Sequence, residues 1–321
     1  MINFPLLCLP YVALEECLKQ LNPVQLLNLS QCSKKINKIT FLASRNFEVS
    51  LCFVFNRISI GTNSDYYFIE LFDSPENLKA ASCPKPKDML SALLNTIKPE
   101  MKMFWSRSWM ELLEYILETF HCPLHSFSSG SKFNESVIDW LLKRQSEIRD
   151  LFIEYSEIDV VLLNKILKLL KVTGELRLHT KINGEFHHDF EVWPRILKIN
   201  NSSWFRLEDL LKSDCARIDL FGSSLTNRDL DVFLRKWIAG GYSKLEYLDI
   251  RSKNFNDKES IVGVPMPMED KENQKYVDRL FGIQLVRVEE GVQIRRTDGT
   301  VGWIKMNDTY KGRQLQFLVP T

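Results

Sequence analysis

Five short segments, each with an aliphatic residue at alternate positions, constrain what this chain can fold into more than any other feature. They are Leu151-x-Ile153, Leu176-x-Leu178, Leu197-x-Ile199, Ile218-x-Leu220 and Leu248-x-Ile250. Alternation is the period of a half-buried strand. A strand that returns parallel to its neighbour needs a crossover of about a dozen residues or more, usually a helix. The intervals between the segments supply that length, and three of them hold helical stretches: Val160 to Leu170, Trp204 to Leu211 and Asn227 to Ile238. The spacing predicts successive strands of one parallel sheet, their shared side buried against helices that carry Phe233 and Trp237. An ordinary α/β layer with irregular crossovers is the alternative.

A strand-plus-helix unit recurring every roughly 20 to 29 residues has the leucine-rich-repeat period. Residues 146–255 are read as such a region. Elsewhere the pattern changes. Phe47, Val49, Leu51, Phe53 and Phe55 alternate as a strand that Ile58 and Ile60 continue, Gly61 to Ser64 reads as a turn, and Tyr66 to Leu71 returns. A β-meander plus helices is therefore predicted for 46–145, with a helix from Trp105 to Phe120 and an exposed loop at Ser74 to Asp88 carrying Pro75, Pro84 and Pro86. Residues 256–321 are a polar tail followed by a hairpin over Gly291 to Ile304, with Asp298-Gly299 as its tight turn. The class is α+β, or α/β in the repeat region.

Residues 3–45 carry most of the functional information. Phe4-Pro5-Leu6-Leu7-Cys8-Leu9-Pro10 leads into a helical apolar pattern at Leu14, Cys17, Leu18 and Leu21. Asn22-Pro23 breaks the run, Val24, Leu26, Leu27 and Leu29 form a second set, and Lys34, Lys35 and Lys38 close it. Pro10 and Pro23 both suit a first helical turn. So small an apolar unit cannot bury all its hydrophobic surface within itself, and such surface implies a partner.

This stretch resembles an F-box, with its Leu-Pro entry, short helices and the Leu26-Leu27-Asn28-Leu29-Ser30-Gln31-Cys32-Ser33-Lys34-Lys35 passage of nematode families. Many F-boxes end in a Trp-bearing motif; here Cys32-Ser33-Lys34-Lys35-Ile36 stands in that place. A second resemblance covers about 195–251. Asn201-Ser202-Ser203-Trp204-Phe205 leads on to Leu225-Thr226-Asn227-Arg228-Asp229-Leu230, Phe233-Leu234 and Trp237, and this is similar to the type 2 F-box-associated domain of nematodes. The residues agree physically: Thr226 or Asn227 caps a helix with Asp229 and Asp231 in its first turn, and Leu230, Phe233, Leu234 and Trp237 make one apolar face.

The resemblance implies a non-enzymatic adaptor that docks onto a Skp-type protein, and through it a cullin, while presenting an unknown protein target for ubiquitination. It implies docking through Phe4, Pro5, Leu6, Leu7, Leu9, Pro10, Leu14, Leu18, Leu26 and Leu27, partly in their own core and partly in the adaptor. Target contact is expected on strand-end loops, at Glu154–Ser156, His179–Lys181, Asn200–Phe205, Phe221–Ser224 and Arg251–Asn254. Asn201, Trp204, Phe205 and Arg251 are the leading residues, although Trp204 and Phe205 could equally seal the core. The alternatives are a repeat-type scaffold that recruits no ligase and a small α/β enzyme.

Other chemistry is weaker. His121, Cys122 and His125 lack partner spacing for a zinc site, and His187 and His188 are adjacent, an arrangement in which side chains usually point apart. No phosphate loop or nucleophile elbow occurs, and no cofactor is expected. A formal net charge of +1 gives no steer towards nucleic acid, and Lys34, Lys35 and Lys38 read as a solvated helix face. No apolar run reaches the roughly 20 residues of a membrane helix. Seven scattered cysteines without a C-x-x-C pair read as reduced, buried thiols, which with the lack of a signal-peptide pattern places the chain in cytoplasm or nucleus.

Overall fold

The computed structural model describes residues 6–43, 46–55, 57–62, 65–70, 109–129, 135–154, 157–183, 185–265, 276–281, 284–289, 291–309 and 312–320. They divide into two compact units, Met1–Lys132 and Phe133–Thr321.

The first unit opens with a short 3-10 turn, Leu6–Cys8, and three helices: α1 (Tyr11–Lys19), α2 (Pro23–Cys32) and α3 (Lys34–Thr40). Pro10 is the N-cap of α1, one position before the first turn, whereas Pro23 is the first helical residue of α2. Asn22 and Gln25 close a reciprocal capping box at α2, each side chain accepting the other's backbone N–H. Leu14, Leu18, Val24, Leu26, Leu27 and Leu42 are buried together at this end of the chain.

The meander follows as β1 (Glu48–Cys52), β2 (Arg57–Gly61) and β3 (Tyr66–Glu70), paired antiparallel in that order. The single strand expected from Phe47 to Ile60 is two strands. Alternation runs unbroken through Phe55, but Phe53–Phe55 form the reversal, with Val54 and Phe55 exposed. The Arg57 guanidinium stacks 4.6 Å from the Phe55 ring and 4.3 Å from Phe68, a contact that fixes the turn and that no periodicity reports. After α4 (Trp109–Thr119), β4 (Leu124–Ser128) pairs parallel to β1. The Pro75–Asp88 loop and residues 105–108 of the expected helix lie outside the described residues.

The second unit contains α5 (Glu135–Arg144), β5 (Glu147–Ile148), β6 (Asp150–Ile153), β7 (Glu157–Asp159), α6 (Val160–Leu169), β8 (Lys171–Val172), β9 (Glu175–Leu178), β10 (Lys181–Asn183), β11 (Ile196–Asn200), α7 (Leu207–Lys212), β12 (Arg217–Ser223), α8 (Asn227–Ile238) and β13 (Tyr247–Ser252). The strands β14 (Tyr276–Phe281), β15 (Gln284–Glu289), β16 (Val292–Arg295), β17 (Val301–Thr309) and β18 (Gly312–Leu318) complete it. The five alternating segments lie on β6, β9, β11, β12 and β13, each parallel to the next. Their register is continuous: Leu151, Leu176, Leu197, Ile218 and Leu248 stand side by side, as do Ile153, Leu178, Ile199, Leu220 and Ile250. All ten are essentially without solvent exposure.

The parallel run then stops. β18 joins β13 antiparallel, and β17 and β16 extend the sheet antiparallel. This closing segment carries the apolar face onward, with Phe317 beside Leu248 and Ile304 beside Phe317. Helix α8 lies on the same side. Its Leu230, Phe233, Leu234 and Trp237 are fully buried, and the Trp237 ring meets Phe317 edge-on at 4.9 Å. Gly302 makes this approach possible, because a Cβ there would stand 2.3 Å from the Phe317 ring.

The β16–β17 hairpin is present, but its turn is longer than a two-residue Asp-Gly. Thr297, Asp298 and Gly299 lie between Arg296 and Thr300, whose backbones bond at 2.8 Å, with Gly299 left-handed at φ 92°. That is a type I turn closed by a glycine bulge, held by Asp298 accepting from Arg296 and from the Thr300 N–H. The cysteines also depart from expectation. All described ones are free thiols, yet Cys8, Cys17 and Cys32 are exposed and only Cys215 is buried. Cys17 and Cys32 occupy outward positions on short amphipathic helices, where one-sided burial leaves them in solvent; Cys83 lies outside the described residues.

Candidate functional site

Strand side chains alternate between faces, so the residues between the aliphatic pairs emerge on the other side of the sheet. Three rows run across it in register. The middle row is Phe152, Arg177, Lys198, Asp219, Asp249, Gln316 and Lys305. Two residues earlier on the parallel strands, and so on the same face, come Glu175, Ile196, Arg217 and Tyr247, with Leu318 and Trp303 beside them; two later come Asn200, Phe221 and Arg251, with Gln314 and Asn307. Nearly every member is charged, amide-bearing or aromatic. Sequence reasoning placed the site on the loops and missed this face, although the middle letter of each aliphatic-x-aliphatic segment (Phe152, Arg177, Lys198, Asp219, Asp249) was its signal.

The face is a lattice of neutralised charges. Glu175 accepts from Arg177 at 2.8 Å and lies 2.9 Å from Lys198. Burial would raise the Glu175 carboxyl, but those two cations outweigh it and hold the group below its ordinary range. Arg217 and Asp219 form a buried pair at 2.8 Å, and Asp219 is still pushed up by desolvation. Asp249 accepts from the Gln314 amide at 2.9 and 2.8 Å on its two oxygens, and burial lifts its pKa to about 6. The same cause raises the Tyr247 phenol, which accepts from Gln316 at 3.0 Å. Arginines lie over aromatic rings along the face: Arg177 on Phe152 at 4.6 Å, Arg217 on Tyr247 at 5.0 Å and Arg251 on Phe221 at 4.5 Å. Stacking of this kind holds a guanidinium flat while its N–H edge stays free to donate.

Beyond the strand ends the loops are tied to one another. Asn201, left-handed at φ 59°, donates to the Thr180 carbonyl at 3.2 Å; Ser224 donates to Ser203 at 2.9 Å and Asn254 to Ser224 at 2.7 Å. Of the four leading target residues, Asn201 is exposed, and Trp204 and Arg251 are half-buried. Phe205 is fully buried against Trp204 and Trp193. It seals the core beside α7, which begins at Leu207 rather than Trp204, and so has no surface for a target. Tyr155 and Ser156 lie outside the described residues.

Among the described residues one group has metal-ligand character: His187, Asp189 and Asp209, with ligand atoms within 4.8 Å of one another. Lys212 already sits 3.0 Å from Asp189, and Asp209 accepts the Arg206 backbone N–H at 2.8 Å. An ammonium in the position a cation would take, and a carboxylate already serving as a helix cap, do not suit a metal centre. His121 stacks on Phe41 at 4.6 Å. Among the described residues no helix is long and apolar enough to cross a membrane.

Comparison with known proteins identifies both ends of this arrangement. Residues 6–41 match the F-box domain, and residues 185–250, which span β11 to β13 and helix α8, match the F-box associated family. The chain is an F-box protein with an F-box-associated domain of the nematode kind. It is 26% identical over 255 residues to the F-box associated domain-containing protein sdz-33 of Caenorhabditis elegans, covering 78% of this chain and 79% of that protein. It is also 27% identical over 97 residues to the E3 ubiquitin-protein ligase hecw-1 of the same organism, spanning 8% of that much longer protein. No solved structure matches the chain.

The helices of this F-box protein sort the residues assigned to adaptor docking. Leu14, Leu18, Leu26 and Leu27 are buried within the unit and are its own core. Leu7 and Leu9 are half-buried and Pro10 is exposed. Tyr11 and Val12, at 58% and 70% exposure, are large apolar surfaces next to them that sequence reasoning passed over. Phe4 and Pro5, and the side chain of Leu6, lie outside the described residues.

Proposed function

We propose that the chain is a substrate-recognition adaptor of a Skp–cullin–F-box ubiquitin ligase, with no catalytic step of its own, acting in the cytoplasm or nucleus. Its F-box would bind a Skp-type protein through the Leu7, Leu9, Pro10, Tyr11 and Val12 edge, and its F-box-associated region would hold a protein target. The observation that carries this reading is the pairing, in one chain, of an F-box whose first helix keeps apolar side chains in solvent with a broad sheet face of polar and aromatic residues. Apolar anchors that become desolvated on docking supply most interface affinity. F-box and F-box-associated proteins are generally adaptors rather than enzymes, and the strand–helix region, read as leucine-rich-repeat-like, keeps half-buried polar and aromatic residues, Arg177, Lys198, Phe221 and Arg251, on the sheet face turned away from α8, where such recognition takes place.

Co-purification tests it. Wild-type chain should retain a Skp-type adaptor. Tyr11→Glu with Val12→Glu, or Leu9→Ala with Pro10→Ala, should lose it at least tenfold while unfolding at an unchanged denaturant midpoint. Leu18→Ala is not a substitute, since it empties the core of the unit. Adaptor binding that survives both double substitutions would leave a non-ligase interaction scaffold as the better reading.

A further inference from the structure

On its parallel strands the polar sheet face holds four basic groups in register order, Arg177, Lys198, Arg217 and Arg251, and three of them are already spent. Arg177 and Lys198 share Glu175 within 2.9 Å, and Arg217 is matched by Asp219 at 2.8 Å. Arg251 differs. Among the described residues its nearest carboxylate oxygen, on Asp249, is 4.0 Å from Nε, and both oxygens of that carboxylate already accept from Gln314. The Arg251 Nε is buried without a hydrogen-bond partner among them. The guanidinium is nonetheless fixed, because it lies on the Phe221 ring. It sits in the row Asn200, Phe221, Arg251, Gln314, Asn307, where the strand ends open onto the loops that carry Asn201 and Asn254.

An oriented guanidinium with unused donors is a receptor for a planar oxyanion. We infer that Arg251, held on Phe221, is the point at which the bound target is read, and that it reads a carboxylate side chain, an Asp or Glu on the target. This deepens the proposed reading of the face as the target-holding surface. The neighbouring charge favours the carboxylate over a phosphate. Arg251 is the one of the four cations whose donors no carboxylate takes up, and Asp249, held by the Gln314 amide rather than by a cation, stands 4.0 Å from it. A phosphate dianion would bring twice the negative charge against Asp249, and against Asp219 and Glu175, whose cationic partners are engaged.

The test uses the full chain bound to its Skp-type adaptor and a displayed random peptide library. The best binders are resynthesised with each Asp or Glu changed to Asn or Gln, or to phosphoserine. Loss of one acidic side chain should weaken binding to the wild type at least tenfold and to Arg251→Met less than twofold. Arg251→Lys should fall between, because it keeps the charge and loses the planar fork, and Arg177→Met should keep the full discrimination. Binders without an acidic residue, failure of the library to enrich any peptide, or equal acid preference in Arg251→Met would overturn the inference. Tenfold tighter binding of the phosphoserine peptides would replace the carboxylate with a phosphate. Adaptor retention is read on the same samples. If it persists without acid preference, only this inference fails; if it is lost in the wild type, the adaptor reading itself fails.

Discussion

Along β12, Ile218 and Leu220 turn to one side of the sheet while Arg217, Asp219 and Phe221 turn to the other, and both sets are largely buried. On the helix side burial is self-sufficient: branched and leucine side chains meet Phe233, Trp237 and Phe317, and removing water from them is favourable at about 25 cal/mol per Å². On the polar side every buried group needs a named partner, because an unpaired charge or donor there costs several kcal/mol. The apolar face is therefore tolerant of which aliphatic residue it holds, whereas the polar face depends on register. A single lost partner is felt by its neighbour on the next strand.

The comparison can be broken most sharply on the helix side. Trp237→Ala should cost about 3 to 5 kcal/mol in urea unfolding. Gly302→Val should be at least as damaging, because its side chain would overlap the Phe317 ring. A small loss at either position would mean that α8 is not the main cover of the sheet.

On the polar side Arg217→Met strands the buried Asp219 and should cost about 3 kcal/mol or more, while Arg217→Met with Asp219→Leu should return most of it. Equal losses in the single and double variants would show that packing, not charge, dominates there. Asp249 gives a pH signature. Its carboxyl titrates at about 6 in the fold against an ordinary value of 3.8, so the folded chain holds a proton that the unfolded chain has released between those values. The stabilisation from this group is complete below pH 4 and lost as pH rises through about 6. Asp249→Asn should then be more stable than wild type above pH 6, by up to about 3 kcal/mol, with the difference fading towards pH 4. A flat difference across that window would remove Asp249 as a buried charge.

Smaller effects sharpen the same contrast. Thr226→Ala removes the cap from α8, whose N–H at Asp229 the hydroxyl accepts at 3.4 Å, and should cost about 1 kcal/mol. Lys198→Met, which leaves the largely covered Glu175 with Arg177 as its remaining cation, should cost about 1 kcal/mol. A larger effect would mean that the lattice acts as one cooperative network.

The strand–helix architecture was legible because its cause is local: alternation puts aliphatic residues on one face, and the intervals are long enough only for crossovers. Helix α8 was legible for the same reason, its cap and apolar stripe all lying between Thr226 and Ile238. The split of the first strand at Phe53, the length of the β16–β17 turn and the exposure of Cys17 and Cys32 were not. Each depends on a contact or an uncovered side that periodicity does not carry: Arg57 on Phe55, Asp298 with Arg296, the outward face of a short helix. The docking residues divided likewise. A leucine in an amphipathic repeat reads the same whether it lines its own core, as Leu18 does, or half meets solvent, as Leu9 does.

By itself, then, the sequence determined the F-box helices, the parallel strand order and the buried stripe of α8, since each follows from residue periods within one or two elements. Only the tertiary structure decided which charges are spent. Arg177, Lys198, Arg217 and Arg251 are equivalent letters scattered along the chain. The register of five parallel strands sets Glu175 between the first two, and the antiparallel arrival of β18 brings Gln314 onto Asp249. That leaves Arg251, of the four, as the cation with donors to give, because ion pairing falls off over a few ångströms and only the folded sheet fixes those distances.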